Sequence, residues 1–136
     1  MSKSGSRLFE YTAGANQELV DELVAGGEKC TPENILGIVK DKDGKIVWLE
    51  TGTERAGFNH ILKKHEKDFE KQGVTTEELS TYIMEAIKQG NIVGQQGKGS
   101  APRTIFEFIY EGKTRRIAIQ ISSNGFIVSA NPKSLE

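Results

Sequence analysis

At 136 residues, with 36% hydrophobic and 27% charged side chains, the chain is long enough to bury one core without disulfide or metal staples. Its single cysteine and two histidines leave no internal disulfide and no zinc set, so a site without metal or cofactor in a reducing compartment is expected. The net charge of −1 is uneven: residues 1–54 carry 6 Lys/Arg against 10 Asp/Glu, and the remaining 12 and 9 fall in residues 55–136. A C-terminal part of net +3 suits either an ordinary solvated surface or one that faces an anion.

No apolar run approaches the length of a membrane span, and the opening MSKSGSRLFEYTAG has no signal-peptide apolar region. Residues 1–15 read as a flexible polar lead and residues 16–136 as one domain. In NQELVDELVAGG, Leu19, Val20, Leu23 and Val24 recur at helical spacing until Gly26 and Gly27 stop them. Thr31 before Pro32-Glu33 signals a helix start, although Ile38-Val39 equally opens a strand. Asp43-Gly44 then predicts a hairpin turn joining Ile38-Val39 to Ile46-Val47-Trp48-Leu49.

A helix over residues 56–72 follows, and then GVTTEELSTYIMEAIKQG, the clearest helix of the chain. Thr75 with Glu78 forms a capping box; Leu79, Ile83, Ala86 and Ile87 make a stripe; Gly90 closes it. NIVGQQGKGSAP reads as a Gly-rich mobile loop without the P-loop offset. Three strands end the chain, turning at Glu111-Gly112 and Asn124-Gly125. Helices followed by antiparallel strands define an α+β fold, with N-terminal helices packed on one face of a C-terminal antiparallel sheet.

Alternation sorts the strand residues by face. Phe106, Phe108 and Tyr110, with Ile117, Ile119 and Ile121 and then Phe126 and Val128, are expected in the core. The other face carries Arg103, Ile105, Glu107 and Ile109; Arg116, Ala118, Gln120 and Ser122; and Ile127, Ser129 and Asn131. Such a face is either a sheet surface with cross-strand charge pairing or a concave site that holds phosphate. Metal-free RNA cleavage needs a base for the 2′-OH, an acid for the leaving oxygen and cations for the phosphoryl charge. The chain has each of these residue types.

Both histidines lie in AGFNHILKKHEKDF. At about 100° per residue, His65 falls among Phe58, Leu62 and Phe69 and reads as a structural histidine. His60 points nearly the opposite way beside Lys64 and is the candidate for proton transfer. Lys63 and Lys64 are surface lysines or phosphate contacts.

TGTERAGFNHILKKH, residues 51–65, and TIFEFIYEGKTRRIAIQISSNGFIVSANP, residues 104–132, resemble nuclease toxins of the barnase/EndoU/colicin/RelE fold. In particular they are similar to the C-terminal tRNase domains of contact-dependent growth inhibition proteins and related phage-borne domains. The resemblance spans residues 35–132 and rests on Gly-Phe-x-His-Ile-Leu-x-x-His and Asn-Gly-Phe-Ile-Val-x-x-x-Pro. It implies helices on an antiparallel sheet with RNA across the sheet's other face. It also implies metal-independent tRNA cleavage through a 2′,3′-cyclic phosphate and a cognate immunity protein as partner.

On this reading residues 16–136 form a single nuclease domain, monomeric, with no cofactor and no membrane contact once delivered. It would be carried by a larger secreted or cell-surface protein and act in the target-cell cytoplasm. The expected catalytic residues are His60, Glu107, Arg116 and Ser129, and the expected substrate-binding residues are Lys63, Lys64, Arg103, Gln120 and Asn131. The alternatives are a non-catalytic RNA- or protein-binding module and a phage-particle-associated nuclease domain.

Overall fold

The computed structural model describes residues 10–97 and 102–135. In chain order these form α1 (Gln17–Ala25), a 3₁₀ turn (Pro32–Asn34), β1 (Ile35–Lys40), β2 (Ile46–Glu50), α2 (Phe58–Lys71) and α3 (Thr76–Gln89). They continue with β3 (Asn91–Gln96), β4 (Arg103–Tyr110), β5 (Lys113–Ile121) and β6 (Ile127–Lys133). Strands β1 and β2 make an antiparallel hairpin, and β3-β4-β5-β6 make a four-stranded antiparallel sheet in that order. The fold is α+β. No helix of the described residues is long and apolar enough to cross a membrane.

The centre of the molecule is α3. Thr75 caps it by accepting from the Glu78 amide, and the Glu78 carboxylate accepts from the Thr75 amide, so two orphan helix donors are satisfied reciprocally. Leu79, Ile83, Ala86 and Ile87 are buried as the stripe requires, and Thr81, Tyr82, Met84 and Glu85 are buried as well. The helix is covered on nearly all sides because the hairpin lies against one flank and the sheet against another. On the hairpin side, Gly37 makes the close approach possible: a Cβ there would stand 2.8 Å from Ser80 Oγ and 2.9 Å from Met84 Cγ.

On the sheet side, Tyr82 meets Phe69, Phe108 and Tyr110 edge-on at centroid distances of 6.1, 5.0 and 4.7 Å. Phe106, Phe108, Tyr110, Ile117 and Ile119 join Ile61 and Phe69 of α2 in the same core. Helix α1 packs elsewhere. Its Val20 and Leu23 make a second cluster with Ile35, Ile38 and Trp48 on the outer face of the hairpin. The hairpin is thus apolar on both faces, since Val39, Val47 and Leu49 belong to the main core.

Three local expectations change. The segment expected as a Gly-rich loop contains the edge strand β3, because Asn91–Gln96 pairs antiparallel with β4 through a bulge between Ile92 and Gly94. Residues 98–101 of that segment lie outside the described residues. In β6 a second bulge, between Gln120 and Ile121, shifts the register so that Ile121 pairs with Ile127. Ile127 and Ala130 therefore enter the core, whereas the sequence pattern assigned that place to Phe126 and Val128. Residues 1–9 of the expected lead lie outside the described residues, but Tyr11 is only 4% exposed and donates to Glu85 Oε2 at 3.1 Å.

The hairpin is tied to the sheet by backbone. Trp48 donates to Gly125 O at 3.0 Å, and Trp48 and Phe126 form an isolated parallel bridge. Gly125 has φ of 102°, and a Cβ on it would stand 2.2 Å from Ile46 O. Gly125→Ala is expected to cost about 2–4 kcal/mol from left-handed strain and overpacking, against about 1 kcal/mol for the cap variant Thr75→Ala. Urea unfolding of both variants checks the order.

Burial first, and the charge and hydrogen bond of Glu85 after it, push the Tyr11 phenol well above its usual value. The folded state therefore holds this proton more tightly than the unfolded state. Its contribution is complete below the unfolded value near 10 and is lost as pH rises beyond it. Tyr11→Phe should destabilise by about 1–2 kcal/mol at neutral pH and lose less stability than the wild type under alkaline conditions, read from melting curves against pH.

Candidate functional site

Strand register lines up the far face of the sheet in cross-strand rows. Asn91, Glu107, Arg116 and Lys133 form one row, and Gly94, Ile105, Ala118 and Asn131 form the next. Gln96 pairs with Arg103 and Gln120 with Ser129, which makes a third row when the β4–β5 register is extended by one step. Successive rows are two residues, about 7 Å, apart.

Long polar side chains lie across this face. Asn131 and Gln96 exchange side-chain amide contacts at 3.4 Å although β4 and β5 lie between their strands. Neighbouring strands are about 4.8 Å apart, so a flat sheet would hold these two backbones about 14 Å from each other, too far for upright side chains to meet. Asn131 Oδ1 also accepts from Arg103 Nη1, so Arg103 reaches from β4 over β5 to β6. Ala118 lies on β5 beside this crossing and is 0% exposed. Its small side chain leaves room for the polar bridge above it.

In the first row, Arg116 Nε donates to Glu107 Oε2 at 2.8 Å, and both side chains are about one-third exposed. Among the described residues the two Nη groups of Arg116 carry no hydrogen bond. The guanidinium thus keeps its terminal donors for an anion, with the Glu107 carboxylate beside it.

His60 stands at the start of α2. Its Nδ1 lies 2.9 Å from the carbonyl oxygen of Glu54, which selects the Nδ1–H tautomer for a neutral ring and leaves Nε2 as the acceptor. Lys63 pairs with the Glu54 carboxylate at 3.4 Å, and Lys64 is exposed. His65 is partly buried and bonded to Asp68 Oδ2 at 3.0 Å, at the boundary of the core.

The structure brings together Glu107 with Arg116 and Arg103 with Asn131, and sets Gln120 opposite Ser129. It does not bring His60 to Glu107 and Arg116. The Gly57 amide donates to Val128 O at 2.9 Å, which seats the start of α2 against one end of β6, whereas Arg116 pairs with Lys133 at the other. Five strand residues separate these points by about 17 Å. His60 is bound back to Glu54 and Arg116 to Glu107, so nothing draws them onto one phosphate. Ser129 is only 1% exposed, and its Oγ has no hydrogen-bond partner among the described residues. A substrate cannot reach this hydroxyl without displacing what covers it.

Sequence reasoning missed Gln96, which lay in the segment expected as a loop, and Lys133, which continues the Arg116 row. The pairing potential of Ile92-Val93 beside Gly94 was the signal for the first. Burial first, and then Glu50 and Glu28, raise the Cys30 thiol above its usual range and disfavour the thiolate. Among the described residues no group of three or more His, Cys, Asp or Glu side chains is placed to hold a metal ion. No protein-family model matches the chain, and no curated protein matches it.

Ala118→Leu is expected to lift Arg103 off Asn131 and cost about 1–3 kcal/mol through overpacking. Chemical denaturation and the exchange rate of the Asn131 side-chain amide protons report on it. Unchanged stability together with an unchanged amide would mean that the bridge does not rest on Ala118.

Proposed function

We propose that the far face of the sheet binds single-stranded RNA and cleaves it without a metal ion, by attack of a ribose 2′-OH that leaves a 2′,3′-cyclic phosphate. The observation that carries this reading is the Glu107–Arg116 pair at 2.8 Å on a polar sheet face, with the guanidinium's terminal donors unengaged among the described residues. Glu107 would take the 2′-OH proton, Arg116 would hold the scissile phosphate and stabilise its growing charge, and the leaving 5′-oxygen would take a proton from water as the P–O5′ bond breaks. Asn131, one row away, and Arg103 and Gln96, two rows away, would contact the strand. His60, with Nε2 as its free ring nitrogen, is the second candidate for proton transfer, at the opposite end of β6.

The narrower reading is a toxin domain that cuts tRNA, is delivered within a larger secreted or cell-surface protein and is neutralised by a cognate immunity protein. It is supported by the resemblance of two segments alone. These segments meet in space: the Gly57 amide that opens the first bonds to Val128 O of the second.

Incubation of total tRNA with the protein in EDTA should give discrete fragments ending in cyclic phosphate. Glu107→Gln should slow cleavage by at least about 10²-fold, the usual share of a general base, and His60→Ala should cost less. The reverse order would move the chemistry to the helix end. Salt-dependent binding of RNA with no fragments from any pool would leave a non-catalytic binding module in place of an enzyme.

A further inference from the structure

Beyond the far face, a cavity of about 490 Å³ opens where the end of α2 meets the start of β5 and the end of β6. Lys71, Lys113, Arg115, Arg116 and Lys133 line it, and among the described residues no carboxylate does. Among the described residues, the acidic sequence neighbours Glu70 and Glu111 are not in the lining. Five cations around one cavity, in a chain whose net charge is −1, repel one another unless an anion lies between them.

Internal structure accounts for part of the cluster. Arg115 Nη1 donates to Gln72 O at 2.7 Å and so satisfies a carbonyl at the end of α2, where Lys71 in the last turn also meets the helix dipole favourably. Arg116 gives its Nε to Glu107. Neither argument covers Lys113 and Lys133, which stand on strands. Among the described residues no carboxylate pairs with Lys71, Lys113 or Lys133.

We infer that this cavity holds the phosphate backbone of the RNA strand beyond the cleavage position, as a subsite continuous with the far face. The inference rests on the ribonuclease reading above and extends it. Arg116 belongs both to the Glu107 row and to the cavity lining, so a strand held at the first passes directly into the second. Lysines suit such a place: they act as mobile point charges that neutralise phosphates without reading bases. An acidic protein surface would also be attracted, but it would not require the cavity to open onto the Glu107–Arg116 row.

The test compares the wild-type chain with Lys71→Gln/Lys113→Gln, both lysines being exposed. Binding of a single-stranded oligoribonucleotide and cleavage of a dinucleotide substrate are measured across a salt series. Two lost phosphate contacts should make the slope of log affinity against log salt shallower by about 1.4, at about 0.7 each for a single strand. Oligonucleotide affinity at low salt should drop several-fold, while dinucleotide cleavage and the melting temperature stay unchanged. Wild-type binding with the same affinity and slope in the double variant overturns the subsite and leaves the ribonuclease reading standing. A wild-type chain that neither binds nor cuts RNA defeats that reading itself. Unchanged RNA binding with lost binding of polyglutamate would mark a surface for acidic protein and also overturn the subsite.

Discussion

Burial of α3 on nearly all sides is the constraint on which the rest of the structure depends. A helix with Tyr82, Ile83, Met84, Ala86 and Ile87 all buried needs apolar cover from more than one layer. The hairpin supplies one cover and the four-stranded sheet the other. Each leaves a trace in sequence: a glycine at position 37, where the hairpin closes on Met84, and aromatic residues at 108 and 110, where the sheet meets Tyr82. Tyr110 also donates to Glu78 Oε1 at 2.7 Å, so the residue that packs against the middle of α3 is tied to its first turn.

With α3 and α2 occupying one face of the sheet, the opposite face is left to polar side chains, and their reach across it decides what they can do. Gln96 meets Asn131 across two intervening strands. Arg103 locks that approach by reaching Asn131. The Glu107–Arg116 pair lies one row from Asn131 and two from Arg103 and stays about one-third exposed. Its charges keep much of their hydration, so the pair adds little to stability and remains accessible to an anion. A fully buried pair would have the opposite character.

Residues 51–65 and 104–132 form a structural junction. Gly57 has φ of 91°, and a Cβ there would stand 2.9 Å from Gly52 Cα, so a glycine is required where the chain turns into α2. Asn124-Gly125 makes the turn that lets β6 start against Trp48. His65 braces the boundary of the same helix through Asp68. The two segments are joined by the packing of α2 against β6.

The hairpin, both longer helices, the capping box and the alternation of β4 and β5 were legible in the sequence, because they follow from local periodicity and turn chemistry. The face carrying Arg103, Glu107, Arg116, Gln120, Ser129 and Asn131 was legible for the same reason, apart from Ile127. Other features were not, because they depend on residues far apart in the chain. Two bulges moved Ile127 into the core and made a strand of Asn91–Gln96. Side chains laid across the sheet joined Gln96 to Asn131, and seating of the start of α2 on Val128 put it against the end of β6 opposite Lys133. The sequence by itself determined which residues share a face, since alternation is a property of each strand. Only the tertiary structure decided which of them meet, since register shifts and helix placement are set by burying α3 between two sheets.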